Sequence, residues 1–416
     1  MNKQQTPTKT FLGFLCSVLL ILAGCDEFRM DMFDNKEVEP EIGPIDDSVV
    51  TANTQFGFNL FDEIRKTEQD KNIFISPFSV SVALAMTLNG AAGETERAMT
   101  NTLQLQGLDS QAINGGYAGL RQTLLTSDPK VTLTIANSLW ARQGMSFKQD
   151  FLQRNIRFFG AEISTLDFND PSASKTINQW VDINTNGKIQ KIVDDIINPN
   201  AVLFLINAIY FKGTWQREFD PSRTQDDSFY LANGDVKQVP MMRQQRRYPY
   251  YRGENFQAIS LAYGDGEMSM YIFLPDRESH LNSFLGNLNA ERWEHWMSQF
   301  RGQDVSLVMP KFKLEYETLL GSPLASLGMD IAFTTDANFS RMASAPLYIE
   351  RVVHKTFVEV NEEGTEAAGV TSVEIGITSV PPPPIPFTID RPFFLAIRDS
   401  QTKTVLFMGV IVDLAP

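Results

Sequence analysis

Apolar residues along this chain follow two rhythms, one of helices and one of strands. Over 49–66, Phe56, Phe58, Leu60, Phe61 and Ile64 keep the spacing of a single helix face. Asn72-Ile73-Phe74-Ile75 then reads as a short apolar strand. Ser76-Pro77 opens a second helix with proline in its first turn, where a missing N–H costs nothing. Val80, Val82, Ala83, Leu84, Met86 and Leu88 leave this helix no polar face, so it belongs inside the molecule. Gly90 and Gly93 end it, and 94–105 predicts another helix.

Alternation at Val131-Thr132-Leu133-Thr134-Ile135 continues through Trp140 as a long strand, 171–193 is an amphipathic helix, and 202–212 is the most apolar strand candidate. Further strands are predicted at 256–261, 268–274, 305–311 and 348–360, with helices around 281–299. The last two strands, 393–397 and 405–412, flank the polar turn 398–402 and predict a buried hairpin. Strands scattered among helices without a βαβ rhythm predict an α+β fold in one domain.

One stretch departs from this pattern. From Thr365 every second residue is small or β-branched, namely Thr365, Ala367, Gly369, Thr371, Val373, Ile375 and Ile377. The intervening set is Glu366, Ala368, Val370, Ser372, Glu374, Gly376 and Thr378, so one set could face a core and the other water. Yet the stretch opens on Glu362-Glu363-Gly364 and closes on the prolines 381–384, which are turn and breaker signals. A proline run has no N–H donors and favours solvated polyproline geometry. The segment therefore reads as a strand held out of its sheet.

These residues carry a resemblance. Val360-Asn361-Glu362-Glu363-Gly364-Thr365-Glu366-Ala367-Ala368-Gly369 resembles the hinge of the serpins, and Arg391-Pro392-Phe393-Phe394 with Phe407-Met408-Gly409 resembles their C-terminal signature. Similar matches begin at Asn72 and recur to the end of the chain. The resemblance implies a serpin-like single domain over 49–416, with a large central β-sheet, further sheets, about nine helices and an exposed, insertable reactive loop at about 362–386. It places Ser76 and Ser79 beneath the central sheet where strands part to admit a new one, with Asn207 and His354 in the same region and Trp215 near the top of its strand. Core filling is an equally open reading of Trp215. The resemblance also pairs Glu362 with Lys311, which follows a proline on the neighbouring strand. The plain alternative is a solvated glutamate, and an exposed pair is worth only about 0–1 kcal/mol.

Composition sharpens the picture. Of the 416 residues 43% are hydrophobic, enough for a large core, although length alone would allow two or three domains. Acids exceed bases by 14 with no local basic cluster expected to offset them, which argues against nucleic acid as a partner. Lys3 and Lys9 precede an apolar run over 11–24 that is too short to span a bilayer as a mature helix and fits a secretory signal at 1–24.

Leu22-Ala23-Gly24-Cys25 resembles the bacterial lipobox, in which the cysteine becomes the lipid-bearing first residue; the alternative is an ordinary signal followed by a free thiol. Cys16 lies in the removed part and Cys25 is the only other cysteine, so no intramolecular disulfide is expected. Removal of 1–24 takes away two lysines and no acid, so the net charge falls from −14 to −16 and a lipid would have to hold the protein at an anionic surface. Residues 25–48 are acidic, with Pro40 and Pro44, and read as a tether with an end-to-end distance of roughly 25–30 Å. The expected location is a bacterial cell envelope, on an outer membrane and facing the periplasm or the surface.

Enzyme chemistry finds no support. His280, His295 and His354 are not spaced as a metal site, and there is no G-x-S-x-G elbow, Walker loop or G-x-G-x-x-G after a strand. No catalytic residue, metal or other cofactor is expected, and His354 reads by default as a hydrogen-bonded core histidine.

The resemblance implies inhibition instead. A serine protease attacks a loop bond and forms an acyl-enzyme, the cleaved loop inserts into the central sheet, and the attached protease is carried to the far end and deformed. Thr365, Ala367 and Gly369 would enter first, and all suit a tight sheet. Counting from Gly364 puts the reactive bond between Thr378 and Ser379; counting back from Pro392 gives Pro381. Ile377 and Val380 are alternative specificity residues.

A small β-branched residue at the cut points to elastase-like serine proteases as partners, and a papain-like cysteine protease reading Ile377 is an alternative. A non-inhibitory serpin acting as a carrier or binding protein is a further reading. Without the resemblance, a lipid-anchored adhesin or solute-binding protein would stand in its place. The chain is expected to act as a monomer.

Overall fold

The computed structural model of the protein describes residues 46–364 and 382–414. Helix α1 (Asp47–Thr67) begins slightly before the expected 49, because the Asp46 carboxylate accepts from the Ser48 N–H and caps it. Strand β1 (Ile73–Ile75) leads to α2 (Pro77–Leu88), capped by the Ser76 hydroxyl and buried all round as its composition requires. Then come α3 (Gly93–Thr102), α4 (Ser110–Thr126), β2 (Val131–Arg142), α5 (Gln149–Phe159) and β3 (Glu162–Leu166). Helix α6 (Ser172–Asn184) stops well short of 193, since Asn186 and Gly187 turn to φ values of 52° and 76°, left-handed backbone that no helix continues through.

After an irregular linker over 185–202 the chain enters β4 (Leu203–Gly213). Next follow β5 (Gln225–Tyr230), β6 (Val236–Arg252), β7 (Phe256–Ala262), β8 (Met268–Pro275), α7 (Leu281–Leu285), α8 (Ala290–Met297), β9 (Arg301–Pro310), β10 (Phe312–Leu319) and α9 (Gly321–Leu324). The strand expected over 348–360 is confined to β11 (Val353–Val360): before it, Ile349 N–H is bonded to Ala332 O, and Val352 O accepts from Leu320 N–H. The chain closes with β12 (Ile385–Thr388), β13 (Phe393–Asp399) and β14 (Val405–Ile411), the last two forming the expected buried hairpin.

Nine strands make one sheet in the order β1-β14-β13-β8-β7-β6-β9-β12, with β5 paired to the first part of β6. One face of this sheet holds an aromatic core in which Phe273 meets Trp293, Trp296 and Phe394. The remaining five strands form a front layer in two pieces. In one, β2 pairs with β3 and runs antiparallel to β4; in the other, β10 runs antiparallel to β11. Among the described residues β4 and β11 form no ladder with each other, and the isolated bridge between Thr214 and Gly364 joins the two pieces at the ends of these strands. No helix of the described residues is long and apolar enough to cross a membrane.

Candidate functional site

The chain reverses where β11 ends. Asn361 Oδ1 accepts from the N–H of Glu363 at 3.1 Å and of Gly364 at 3.2 Å, the local bonding that makes asparagine a turn former. The Asn361 N–H donates to Gly364 O at 3.0 Å and closes the turn. Gly364 has a φ of 133°, and a Cβ there would lie 2.3 Å from Gly213 O, so glycine is required twice over. It meets Thr214 on one edge, in antiparallel sense, and Asn361 on the other.

Trp215 fastens this turn. Its backbone N–H donates to Glu363 O at 2.7 Å, its indole N–H donates to Asn361 O at 2.9 Å, and its ring stacks on Tyr263 at 4.5 Å between centroids. The side chain thus fills the core and holds the hinge at once. Phe219 N–H adds a bond to Glu362 O at 2.8 Å.

Glu362 and Lys311 stand together, with 2.8 Å between the carboxylate and Nζ, and the Thr224 hydroxyl donates to the same carboxylate at 2.7 Å. Burial pushes the Glu362 pKa up, the bonds from Lys311 and Thr224 pull it down, and the balance lies below the ordinary carboxyl value. The adjacent Glu363 has a buried Oε2 without a hydrogen-bond partner among the described residues.

Farther along the two strands, a chain of hydrogen bonds passes beneath the gap. The Ser76 N–H donates to His354 Nε2 on β11 at 3.0 Å, and the Ser76 hydroxyl accepts from Ser79 N–H while donating to Leu406 O. The Ser79 hydroxyl donates to Asn207 Oδ1 on β4, and Asn207 Nδ2 donates to Asn137 Oδ1 on β2 at 2.6 Å. The N-terminus of α2 is therefore tied to both pieces of the front layer. Burial lowers the His354 pKa to about 4, so the ring is neutral and Nε2 serves as an acceptor.

The gap itself opens into a cavity of about 590 Å³ lined by α2, by 192–207 and by 346–354. The linker over 185–202 reaches across to β11 and the segment before it. Lys188 lies 3.7 Å from Glu359 and over the Phe357 ring, Asp194 pairs with Arg351 at 2.8 Å, and Asn198 bonds Glu350.

Ser76, Ser79, Asn207 and His354 are thus brought into one network, and Trp215, Lys311, Glu362, Glu363 and Gly364 into a second at the hinge. Thr365, Glu366, Ala367, Ala368, Gly369, Ile377, Thr378, Ser379, Val380 and Cys25 lie outside the described residues. Sequence reasoning overlooked Thr224, Asn137 and Tyr263 as partners, and it quoted Asn361 in the hinge run without giving it a role, although the Asn-Glu-Glu-Gly run carries a local turn signal. It also passed over the arginines of β6, where Arg243 pairs with Asp227 and Arg252 with Asp276, leaving Arg246 and Arg247 without an ion pair among the described residues. Among the described residues no cluster of His, Cys, Asp or Glu is arranged to hold a metal.

Comparison with known proteins bears on this arrangement. Residues 51–414 match the family model described as Serpin (serine protease inhibitor). The leukocyte elastase inhibitor of Sus scrofa is 36% identical over 370 residues, covering 86% of this chain and 97% of that protein. The native crystal structure of the thermophilic serpin tengpin superimposes with a TM-score of 0.81 at 32% identity, covering 89% of this chain and 95% of tengpin. Human thyroxine-binding globulin in complex with thyroxine gives a TM-score of 0.80 at 29% identity, covering 88% and 99% respectively.

Proposed function

The chain belongs to the serpin family, described as serine protease inhibitors and not as enzymes, and we propose that it is a suicide inhibitor of elastase-like serine endopeptidases. The protease serine attacks the carbonyl carbon of Thr378, the bond to Ser379 breaks, and the freed amine takes the proton. The loop then enters between β4 and β11 while still esterified to the enzyme. The 14 residues 365–378 span roughly 47 Å as a strand. Deacylation fails because catalytic groups tolerate little misplacement.

What supports this reading most is the hinge. β4 and β11 lie beside a common gap without a ladder between them, and Gly364 has already turned back against the end of β4. The small residues Thr365, Ala367 and Gly369 that follow are suited to entry. The elastase inhibitor among the relatives supports the choice of target, as does the absence of Lys and Arg from 365–386. We further infer that Cys25 carries a lipid that holds the protein, as a monomer, to a bacterial membrane outside the cytoplasm, with 26–48 as spacer.

Likeness to thyroxine-binding globulin favours a second reading, a carrier whose loop is cleaved without trapping. Denaturing electrophoresis after mixing with pancreatic or neutrophil elastase separates the two. A boiling-resistant band at the summed mass, with a released peptide beginning at Ser379, is expected for the inhibitor. Cleavage without complex across a panel of serine and papain-like cysteine proteases would move the assignment to the carrier.

A further inference from the structure

Arg246 carries a charge that the fold leaves unanswered. On β6 the side chains of Met242, Gln244, Arg246 and Tyr248 share one face, and across the ladder they lie level with Met309, Leu307, Val305 and Gln303 of β9. Met242, Met309, Leu307 and Val305 are fully buried, so this is the face of the strand that turns to the core. Arg246 is therefore half-buried, and its Nε is shut off from water without a hydrogen-bond partner among the described residues. A buried donor without an acceptor is costly, and more so on a charged group. Acids exceed bases by 14 in this chain, yet no carboxylate is placed to offset Arg246 among the described residues.

Its polar neighbours are engaged with one another. The Tyr248 hydroxyl donates to Gln244 Oε1, and Gln244 Nε2 donates to Glu218 O. Burial pushes the Tyr248 pKa well above its ordinary value, so the phenol stays protonated and offers Arg246 no negative charge. The charge that does lie nearby is the guanidinium of Arg217, on the segment joining β4 to β5, and it repels. Arg217 in turn is exposed and pairs with no carboxylate among the described residues.

Two guanidinium groups that converge from two elements call for two negative charges on a body small enough to reach a half-buried site. A carboxylate supplies one charge and one edge, whereas a tetrahedral dianion has oxygens for both forks. We propose that Arg246 and Arg217 form a binding site for a phosphate-type oxyanion, phosphate or sulfate. The bound oxyanion joins β6 to the segment 214–219, whose Trp215 and Phe219 N–H groups hold the carbonyls of Glu363 and Glu362, and so steadies the hinge of the intact protein. The site stands apart from the inhibitory reading, since none of these groups belongs to the segment that would be cleaved.

The test is equilibrium dialysis of the intact protein against radiolabelled inorganic phosphate, in chloride buffers of matched ionic strength. Wild type should take up one phosphate per chain with a Kd of about 1 mM or tighter, the affinity of a few charge-assisted bonds. Sulfate should compete and acetate should not. Arg246→Met and Arg217→Gln should each weaken uptake at least roughly tenfold, whereas Arg247→Gln, on the opposite face of β6, should leave it unchanged.

Thermal unfolding adds a signature that a merely structural arginine would not give. In chloride alone Arg246→Met should unfold no lower than wild type, because it removes a half-buried charge without a partner. With phosphate at about 10 mM the wild type should gain about 2 °C and the variant nothing. Amide exchange at Trp215 and Phe219 should slow with phosphate in wild type only, and unchanged exchange refutes the link to the hinge. Uptake that does not saturate, equal competition by acetate, or equal weakening by Arg247→Gln overturns the site. Destabilisation of Arg246→Met in chloride overturns it as well, since the arginine would then be satisfied within the fold.

Discussion

His354 is buried where the two pieces of the front layer part, with Nε2 occupied by the Ser76 N–H. Its pKa of about 4 lies below the unfolded value of 6.5, so the unfolded chain binds the extra proton first as pH falls. The stability tied to the neutral ring is complete above pH 6.5 and is lost as pH drops through 4, amounting to about 3 kcal/mol. Denaturant midpoints measured from pH 7 to 5, where carboxylates still contribute little, should fall for wild type and stay flatter for His354→Gln. The Glu362 carboxylate has its pKa lowered, so its contribution is present above the ordinary carboxyl value and disappears in more acid solution.

Removing its partner with Lys311→Met should cost about 1–3 kcal/mol at the hinge, because the carboxylate keeps the Thr224 hydroxyl but loses its counter-charge. A faster spontaneous loss of inhibitory activity at 37 °C would register that loosening; an unchanged rate would show that the pair does not hold the hinge. Serpin resemblance brought Glu362 and Lys311 together from distant parts of the sequence. Thr224 was not legible, since nothing around Ser222-Arg223-Thr224 marks a threonine that will meet a carboxylate 138 positions away.

Helices and strands were legible wherever one pattern governed them. α2 has no polar face and is buried, and β14 pairs with β13, which is apolar from Phe393 to Ile397. The failures came where backbone geometry overrode side-chain pattern. α6 stops at Asn184 although apolar spacing continues to 193, because the later residues fold back as a linker whose Val193 and Ile197 join the same core as Ile177 and Val181. Residues 348–352 lead straight into β11 in sequence, but backbone bonds of Ile349 and Val352 are taken by Ala332 and Leu320 outside the sheet. That β4 and β11 would form no ladder with each other among the described residues cannot be read from either strand alone. It follows from a loop whose alternation suits a third strand between them.

On the inhibitory reading, entry of the loop depends on its first inward residues. Ala367→Pro removes an N–H and fixes φ where a ladder on both sides is needed, at a cost of about 3 kcal/mol or more. Cleavage by elastase should continue at an ordinary rate while the yield of covalent complex falls roughly tenfold or further. Gel densitometry of complex against cleaved product checks this, and a full yield of complex would show that insertion does not begin at 367.

As a whole, the molecule carries an unsatisfied design. Among the described residues it has a front layer open between β4 and β11, a cavity of about 590 Å³ in that opening and a buried carboxylate oxygen of Glu363 without a partner, and its sequence holds a 14-residue segment of matching alternation. On the inhibitory reading a single added strand would bond to the facing edges of β4 and β11 and fill the cavity, and the intact protein would be held short of its most stable form. The measurement that bears most directly on this is thermal unfolding before and after one cut in the loop, with the cut protein still carrying both fragments. With each new ladder bond contributing about 1 kcal/mol, the unfolding temperature should rise by more than about 20 °C after cleavage. An unfolding temperature that stays the same or falls would mean that the loop does not enter between β4 and β11, and the account of trapping would fail with it.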